Sequence, residues 1–350
     1  MESDAVPQDP ANPLGLNGFE FVEFTSPDPE AMARQFEQMG FVATHRHPAK
    51  NITRYKQGRI NLMLNRDADG RVAAFRNEHG ASASAMAFRV ADPDAALACA
   101  IDHGARRTQE EDTVIEGIGG SYLYFIRDGA DLYADWAEVP GWREAEARNS
   151  VGLDRLEHLT HTVRRGQMRV WSEFYRTLFN FEEQKYFDIK GKATGLFSQA
   201  MIAPDRAIRI PLNESQDDKS QIEEFIRDYN GEGIQHLALT TADIYATVEK
   251  LRARGVRLQD TIETYYELVD KRVPGHGEDL ERLRRNRILI DGSTEEGILL
   301  QIFTETMFGP IFFEIIQRKG NEGFGNGNFQ ALYESIELDQ IRRGVITVDA

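Results

Sequence analysis

The feature that most constrains the fold is a pattern that occurs four times along the chain, with a short strand, a helix and further strands in each copy. The strands that open the copies begin at Phe19, Ala85, Leu156 and Gln235. The second and fourth helices both follow an Ala-Asp pair and end at a glycine, with Asp92 and Asp243 in the capping position. The sequence therefore predicts an α+β fold of four βαβββ modules.

The four modules pair into two halves. A charged stretch over 142–150 separates the second copy from the third, so we predict an N-terminal domain over 17–145 and a C-terminal domain over 153–350. Two modules together can form a cupped, mostly antiparallel sheet with helices outside, and ligand-binding side chains are then expected on the first and last strands of the modules. Residues 1–16 contain three prolines and no periodicity, and we expect a loose arm there.

Composition narrows the class of protein. The 350 residues carry a net charge of −16, which does not favour nucleic acid or an anionic membrane surface as a partner. The single cysteine, Cys99, excludes a disulfide framework and fits a reducing compartment. No apolar run reaches the ~20 residues of a membrane span, and the N-terminus does not have the pattern of a secretion signal. We expect a cytoplasmic protein whose partners are small molecules and copies of itself.

Two of the eight histidines occupy matching places in the repeats. His158 lies in the first strand of the third copy and His236 in the first strand of the fourth. Either one alone is typical of a hydrogen-bonded core histidine, but two equivalent strands in one cup would direct both rings to a common point. The last strand of the fourth copy adds Glu314 among large apolar residues, and a buried carboxylate is usually paired or bound to metal. The matching first-strand positions of the N-terminal half are Phe21 and Ala85, which cannot bind a metal.

Two histidines and one carboxylate predict a metal site. This donor set is typical of non-haem Fe(II) oxygenases, where it leaves one side of the metal open, and zinc is the main alternative. His161 is three residues beyond His158, and strand alternation directs it to the opposite face. Surface positions are expected for the five histidines that have no matching partner: His45, His47, His79, His103 and His276.

Seven short stretches carry a resemblance to a known family. They are 156–160 (LEHLT), 210–214 (IPLNE), 220–225 (SQIEEF), 233–236 (GIQH), 299–303 (LLQIF), 313–318 (FEIIQR) and 323–329 (GFGNGNF). In this order they make the chain resemble the bacterial members of the 4-hydroxyphenylpyruvate dioxygenase family, in the vicinal oxygen chelate superfamily. The resemblance covers nearly the whole C-terminal half and, more loosely, the N-terminal half.

The resemblance implies two vicinal oxygen chelate domains and an Fe(II) enzyme with His158, His236 and Glu314 as its metal ligands. The implied reaction converts 4-hydroxyphenylpyruvate and dioxygen to homogentisate and CO₂ by oxidative decarboxylation, ring hydroxylation and side-chain migration. This reaction is a step of tyrosine and phenylalanine catabolism. The resemblance also implies a homo-oligomer, either a dimer or a tetramer.

The resemblance further implies two groups of residues around the substrate. Five polar side chains are expected to orient the substrate and hydroxylated intermediates: Ser198, Asn213, Gln221, Gln235 and Gln301. Five others are expected to complete the wall of the pocket: Phe303, Phe312, Phe324, Asn328 and Phe329. Aromatic walls exclude water from a reactive centre, and amides fix the orientation of a bound molecule.

A helix is expected near the C-terminus. The spacing of Phe329, Leu332, Ile336 and Ile341 predicts an amphipathic helix that ends before Gly344. In the family that the chain resembles, this helix closes the mouth of the active site. We therefore expect a C-terminal lid helix, with the glycine-rich run 323–327 as its hinge.

Three other functions stay open from the sequence. Hydroxymandelate synthase uses the same substrate and metal but hydroxylates the benzylic carbon, and Asn213 favours the dioxygenase because an apolar residue is expected there in the synthase. A binding protein of the same superfamily without a metal would have no reason to bury Glu314 opposite two histidines. An extradiol ring-cleaving dioxygenase also uses two histidines and a glutamate, but the contexts of His236 and Glu314 favour the oxo-acid enzymes.

Overall fold

The structure is a computed structural model of the chain. It describes residues 9–108, 113–190, 194–261, 263–325, 327–328, 340–341 and 343–345. Within these residues the chain forms two eight-stranded mixed sheets, one in each half. None of the helices in the described part of the chain has the length and apolar character that crossing a bilayer requires.

The N-terminal sheet is built around an antiparallel pair of strands that open the first two sequence copies. Its strands are β1 (Phe19–Thr25), β2 (Val42–Arg46), β3 (Ile52–Gln57), β4 (Ile60–Asn65), β5 (Ser82–Val90), β6 (Val114–Glu116), β7 (Tyr122–Arg127) and β8 (Ala137–Glu138). Their order across the sheet is β6-β7-β5-β1-β4-β3-β2-β8. The helices of this half are α1 (Pro29–Gln38), α2 (Gly70–His79) and α3 (Pro93–Asp102), and α4 (Trp142–Asn149) leads into the second half.

The C-terminal sheet repeats this arrangement. Its strands are β9 (Leu153–Val163), β10 (Glu182–Lys190), β11 (Gly195–Ile202), β12 (Arg209–Ser215), β13 (Gly233–Thr241), β14 (Leu289–Ser293), β15 (Gly297–Phe303) and β16 (Phe312–Lys319). Their order is β10-β11-β12-β9-β13-β16-β15-β14, with β9 and β13 antiparallel at the centre. The helices of this half are α5 (Met168–Phe179), α6 (Gln221–Tyr229), α7 (Ile244–Ala253), α8 (Glu263–Glu267), α9 (Val269–Arg272) and α10 (Leu280–Asn286).

Aspartates start three of the repeated helices, two of them at the positions that the sequence predicts. The side chain of Asp28 accepts a hydrogen bond from the amide of Ala31 at the start of α1 (2.9 Å). Asp92 and Asp243 cap α3 and α7 in the same way. Each cap satisfies backbone donors that have no partner inside the helix, and this fixes where the helix begins.

The second copy departs from the predicted βαβββ pattern. β6 and β7 stay on the side of β5, but β8 pairs with β2 at the opposite edge of the sheet. Between β7 and β8, Tyr133 is buried in an apolar cluster with Phe21 and Met63. Burial of this ring carries the chain across the sheet, so the last strand of the copy joins the far edge.

A single cluster of buried apolar side chains extends through both halves. Phe36 of α1 packs edge to face on Phe308 (ring centroids 5.2 Å apart), and Phe88 of β5 packs in the same way on Phe179 of α5 (5.4 Å). The two sheets are therefore held by a shared core.

The expectation of a loose arm over 1–16 is wrong for the described part of the arm. Leu14 and Leu16 are buried in the shared core, and the amide of Ala91 donates a hydrogen bond to the Leu14 carbonyl (3.1 Å). Two leucines supply enough apolar surface to anchor a segment that shows no periodicity. Residues 1–8 lie outside the described residues.

Two of the histidines expected at the surface are buried. His45 lies in β2, and His79 lies at the end of α2. The His79 Nδ1–H donates to the carbonyl of Tyr229 (2.8 Å), and the two rings stack. This contact joins the two halves, and a repeat pattern within the chain gives no signal for it.

The predicted lid helix falls mainly on residues that the structure does not describe. Phe329, Leu332 and Ile336 lie outside the described residues. Ile341 is helical, and the neighbouring Gln340 donates a hydrogen bond to Glu224 of α6 (2.8 Å).

Candidate metal centre

Three side chains from the centre of the C-terminal sheet meet at one point. His158 comes from β9, His236 from β13 and Glu314 from β16, and all three are buried. The Glu314 Oε2 atom lies 3.1 Å from the His158 Nε2 atom and 3.6 Å from the His236 Nε2 atom. One ligand atom from each residue lies within 4.8 Å of the other two. The sequence prediction placed these three residues together, and the sheet brings them together.

Each histidine follows an extra residue in its strand. His158 lies opposite Ala238 and Leu156 opposite Leu239, so Glu157 has no partner in the ladder. In the same ladder, Gln235 is the extra residue of β13 before His236. Such bulges bend a strand and redirect its side chains.

These two bulge residues hold the histidine rings from behind. The Nδ1–H of His158 donates to Glu157 Oε2 (2.6 Å), and the Nδ1–H of His236 donates to Gln235 Oε1 (3.2 Å). With Nδ1 used as a donor, each ring directs its Nε2 atom toward Glu314. Metal-binding histidines are held in this way in most proteins, because the outer hydrogen bond selects the tautomer.

Glu314 is held by a chain of polar groups. Gln301 Nε2 donates to Glu314 Oε1 (2.5 Å), and Asn328 Nδ2 donates to Gln301 Oε1 (2.9 Å). Tyr265 then donates from its hydroxyl to Asn328 Oδ1 (2.8 Å). Gln301 occupies one carboxylate oxygen and leaves the other directed at the two imidazoles. Tyr265 is a contributor that sequence reasoning missed, since nothing in its local sequence points to a site 49 residues away.

The charges of His158 and Glu314 stabilise each other, and the charged form of His236 is disfavoured. Burial lowers the pKa of His158, but Glu314 and Glu157 outweigh burial and raise it to about 9. Burial raises the pKa of the Glu314 carboxyl, but the two histidines lower it to about 2. The pKa of His236 is lowered by burial, which Glu314 only partly offsets. A cation at the centre would compete with protons for these same atoms.

The ligand atoms open into a cavity. Nine of the ten substrate-contacting residues that the sequence predicts lie in the described part of the chain, and eight of these line the cavity: Ser198, Asn213, Gln221, Gln235, Gln301, Phe303, Phe312 and Phe324. Asn328 lies behind this wall, where it hydrogen-bonds to Gln301. Phe329 lies outside the described residues. The cavity also has walls that the sequence analysis missed, which are Thr160, Phe187, Ala200, Pro211 and Ile222.

Two polar atoms of the cavity have no hydrogen-bond partner within the described structure. They are the hydroxyl of Ser198 and the side-chain oxygen of Asn213, both buried. Ser198 on β11 lies directly opposite Asn213 on β12 in the ladder. A buried polar group without a partner costs free energy, so this pair is suited to the polar groups of a bound molecule.

The donor set fits a divalent transition metal. Two neutral imidazole nitrogens and one carboxylate oxygen face one point from one side, and the cavity lies on the other side. Imidazole and carboxylate together suit iron and zinc, and a three-ligand face leaves positions open for other molecules. The residues present can therefore hold a metal cofactor.

Comparison with known proteins gives the family of the chain. Residues 11–135 match the family described as hydroxyphenylpyruvate dioxygenase, N-terminal, and residues 155–268 match the glyoxalase/bleomycin resistance protein/dioxygenase superfamily. A 4-hydroxyphenylpyruvate dioxygenase from Pseudomonas aeruginosa is 56% identical over 96% of this chain and 97% of its own length. One from Legionella pneumophila is 48% identical over 96% and 98%.

A solved structure of similar fold is a triple mutant of 4-hydroxymandelate synthase from Streptomyces coelicolor. It has a TM-score of 0.81 and 27% sequence identity, and the match covers 93% of this chain and all of that one. The full-length relatives are far more similar in sequence to this chain than the synthase is. The chain belongs to the 4-hydroxyphenylpyruvate dioxygenase family, within the vicinal oxygen chelate superfamily.

Proposed function

We propose that this chain is a 4-hydroxyphenylpyruvate dioxygenase that uses Fe(II) to form homogentisate and CO₂. The observation that carries the proposal is the convergence of His158, His236 and Glu314 at the wall of a cavity, in a chain of this family. Fe(II) held by these three ligands would bind the 2-oxo acid of the substrate and activate dioxygen. The protein supplies position, orientation and exclusion of water.

Three amides would orient the substrate and control the ligand sphere. Gln301 keeps one oxygen of Glu314 occupied, so that the other is available to the metal. Gln235 accepts the Nδ1–H of His236, so that Nε2 of this ring is available to the metal. Gln221 lines the cavity at the start of α6. The hydrogen bonds of Gln301 and Gln235 hold these two amides before the substrate arrives, and fixed dipoles stabilise developing charge at no cost of reorganisation.

Ser198 and Asn213 would receive the polar end of the substrate. Their free oxygen atoms lie on neighbouring strands and have no partner in the described structure. A phenol hydroxyl or a hydroxylated ring carbon could donate to Asn213 and exchange a hydrogen bond with Ser198. This contact would set which carbon of the substrate faces the metal.

Aromatic side chains would keep water from the reacting atoms. Phe312 stacks on the His236 ring (centroids 4.7 Å apart), and Phe324 lies 5.9 Å from the His158 ring. Phe303 packs edge to face on Phe312. Apolar rings around the ligands favour the substrate ring over water, because they offer dispersion contacts and no hydrogen bonds.

Product identification tests this proposal. The purified protein is loaded with Fe(II) without oxygen and mixed with 4-hydroxyphenylpyruvate, air is admitted, and the products are separated and identified by mass. We expect homogentisate from the wild type and from a His103→Ala control, which changes an exposed histidine, and none from His236→Ala. Hydroxymandelate as the product would instead make the chain a synthase, and absence of both products with iron bound would overturn the proposed reaction.

Two further features stay predictions from the sequence. A cytoplasmic location is testable by cell fractionation of the source organism with an antibody against the chain. Assembly into a dimer or tetramer is testable by light scattering after gel filtration, where a single species of the mass of one chain would contradict it.

A further inference from the structure

A buried charge cluster lies behind the metal ligand His158. Its centre is Glu157, whose side chain is 1% exposed and whose Oε2 atom accepts from His158. The other oxygen, Oε1, accepts from Arg209 of β12 and from Arg318 Nε of β16 (3.0 Å). Burial raises the pKa of the Glu157 carboxyl, but Arg318, His158 and Arg209 outweigh it and hold the pKa well below its usual range. Glu157 is thus shared between the ligand and two cations.

Both arginines extend to the segment 321–324. Arg318 Nη1 donates to the carbonyl oxygens of Asn321 (3.0 Å) and Gly323 (2.5 Å), and Arg209 Nη2 donates to Glu322 Oε2 (2.6 Å). This short segment follows β16 and is held by these charged hydrogen bonds, by Asn321 Nδ2 donating to the Gly297 carbonyl (3.2 Å) and by Gln184 Nε2 donating to the Glu322 carbonyl (3.3 Å). Hydrogen bonds to a guanidinium are about twice as strong as neutral ones.

The segment ends at Phe324, which returns to the metal site. The Phe324 ring lines the cavity and lies 5.9 Å from the His158 ring, centroid to centroid. His158 therefore contacts this segment by two routes. One is direct, through the Phe324 ring, and the other passes through Glu157 and the two arginines.

The second histidine ligand has no such connection. Behind His236 lies the neutral amide of Gln235, and the hydrogen bonds described for Gln235 include no arginine. In the described part of the chain, charged groups therefore connect the metal site to the pocket wall on the side of His158, and not on the side of His236.

We propose that Glu157 is a positioning residue for His158 and that, with Arg209 and Arg318, it couples metal binding to the seating of 321–324 and of Phe324 in the pocket. The inference rests on the proposed function only in taking His158 as a metal ligand. A metal on Nε2 fixes the ring, the ring fixes Glu157, and Glu157 fixes the two arginines that hold the segment. Because coupling between two sites is reciprocal, a well-seated segment also raises the affinity for the metal.

The repeat supplies a matched control. Glu20 precedes Phe21, the counterpart of His158, at the corresponding irregularity of β1. It is also a largely buried carboxylate bound to an arginine, because Arg89 Nε donates to Glu20 Oε2 (2.6 Å). Glu20→Gln therefore changes a similar carboxylate in the half that has no metal ligands.

The test measures metal binding and hydrogen exchange rather than turnover. Co(II) and, without oxygen, Fe(II) are titrated into wild type, Glu157→Gln and Glu20→Gln, with the d–d bands of Co(II) as a spectroscopic readout. Amide exchange of 321–325 is followed with and without Co(II). We expect Glu157→Gln to weaken metal binding about 10- to 100-fold, to alter the d–d bands and to abolish the metal-dependent slowing of exchange. Glu20→Gln should leave all three as in wild type.

Each alternative result overturns the proposal. Unchanged metal affinity in a folded Glu157→Gln protein would remove the positioning role, and equal losses in both variants would show a general effect on folding. If Glu157→Gln does not fold, the wild-type protein still tests the coupling. The coupling is excluded if amide exchange of 321–325 is the same with and without Co(II). A third variant, Glu322→Gln, changes an exposed partner of Arg209. We expect it to weaken the metal-dependent slowing of amide exchange about twofold to threefold, because a partly screened charged contact contributes little.

Failure here and failure of the proposed reaction are distinguishable. A protein that binds Fe(II) and forms no homogentisate can still show the coupling, because neither readout involves substrate. If the protein forms homogentisate but its amide exchange does not depend on metal, the proposed reaction is correct and the proposed coupling is wrong.

Discussion

The strand pair β1/β5 of the N-terminal half and the pair β9/β13 of the C-terminal half have the same irregularities in their ladders. β9 has an extra residue at Glu157 and β13 at Gln235, while β1 has one at Glu20 or Phe21 and β5 at Ser84. The backbone that presents ligands is thus present twice. What differs is the set of side chains placed on it.

In the N-terminal half the ligand positions carry groups that cannot bind a metal. Phe21 and Ala85 correspond to His158 and His236, and the ladder between β5 and β7 places Tyr124 where β16 has Glu314. The Phe21 and Tyr124 rings pack against each other, with centroids 5.5 Å apart.

The space beside these rings is also filled in the N-terminal half. The Arg71 guanidinium of α2 covers the Tyr122 ring (3.6 Å from its centroid) and pairs with the buried Glu23 (3.3 Å). Ala85 and Val114 complete that cluster. A bulged strand pair is therefore only a scaffold. Three donor atoms and an open cavity make it a metal site.

The largest expected effect comes from removing the carboxylate of Glu314, whose matching position in the N-terminal half is Tyr124. Glu314→Ala should abolish tight metal binding and lower homogentisate formation by about three orders of magnitude or more, because a bound metal contributes several kcal/mol to such reactions. Tyr124→Ala at the matching position should leave the metal content per chain unchanged. Metal analysis and a product assay on both variants check this. Equal loss in the two variants would contradict the division of roles.

The next effect tests how the N-terminal half supports the site. Gly119 lies against Glu232, just before β13, and a Cβ at Gly119 would lie 2.0 Å from the Glu232 carbonyl oxygen. Gly120 also has a positive φ but has nothing within 4 Å of a Cβ. Gly119→Ala should therefore lower the free energy of unfolding by about 2–4 kcal/mol and Gly120→Ala by about 1–2 kcal/mol. Thermal unfolding of both variants measures the difference, and the same midpoint for both would be inconsistent with this contact.

A smaller effect distinguishes two asparagines at matching ladder positions. Asn65 of β4 uses its side chain internally, since its Nδ2 donates to Glu23 (3.1 Å) and its Oδ1 accepts from Asp67 (3.0 Å). The Asn213 oxygen has no partner in the described structure. Asn213→Leu should lower kcat/KM about tenfold with unchanged metal content, as expected for one lost hydrogen bond of ~1.4 kcal/mol to substrate. Asn65→Leu should lower stability and leave kcat/KM unchanged; the opposite pattern would refute the assignment.

The last comparison concerns the pH dependence of stability. His161 is fully buried, and burial lowers its pKa to about 3, while its counterpart in β1 is Phe24. The unfolded chain takes up the proton first as pH falls, so stability is lost between pH ~6.5 and 3 by up to ~1.4 kcal/mol per pH unit. His161→Phe removes this contribution. Denaturant unfolding from pH 7 to pH 5 should show a shallower slope for the variant, and parallel slopes would contradict it.

Much of the fold and the centre of the site could be predicted from the sequence. The repeated Asp caps predicted the starts of α3 and α7, and the matching places of His158 and His236 led to Glu314 before any resemblance was used. These features are local or repeated, and local patterns are what a sequence displays directly.

The parts that were missed depend on irregular geometry. Strand alternation directs Glu157 away from the face of His158, and only the bulge brings its carboxylate to the ring. Glu157 follows Arg155-Leu156 and precedes His158 in the sequence, so the apolar setting that singled out Glu314 is absent there and gave no signal for it. The burial of His79 and the route of β8 depend on contacts between distant segments, for which spacing within one copy gives no signal.

We expect one metal centre, in the C-terminal half, to perform the chemistry. The most direct test is a crystal of the protein grown without oxygen with Fe(II) and 4-hydroxyphenylpyruvate, with anomalous scattering measured at the iron edge. We expect one iron peak bonded to His158 Nε2, His236 Nε2 and a Glu314 oxygen, with the 2-oxo acid on the metal and the ring toward Ser198 and Asn213. An iron peak elsewhere, or no peak beside these ligands in crystals that contain iron, would contradict it.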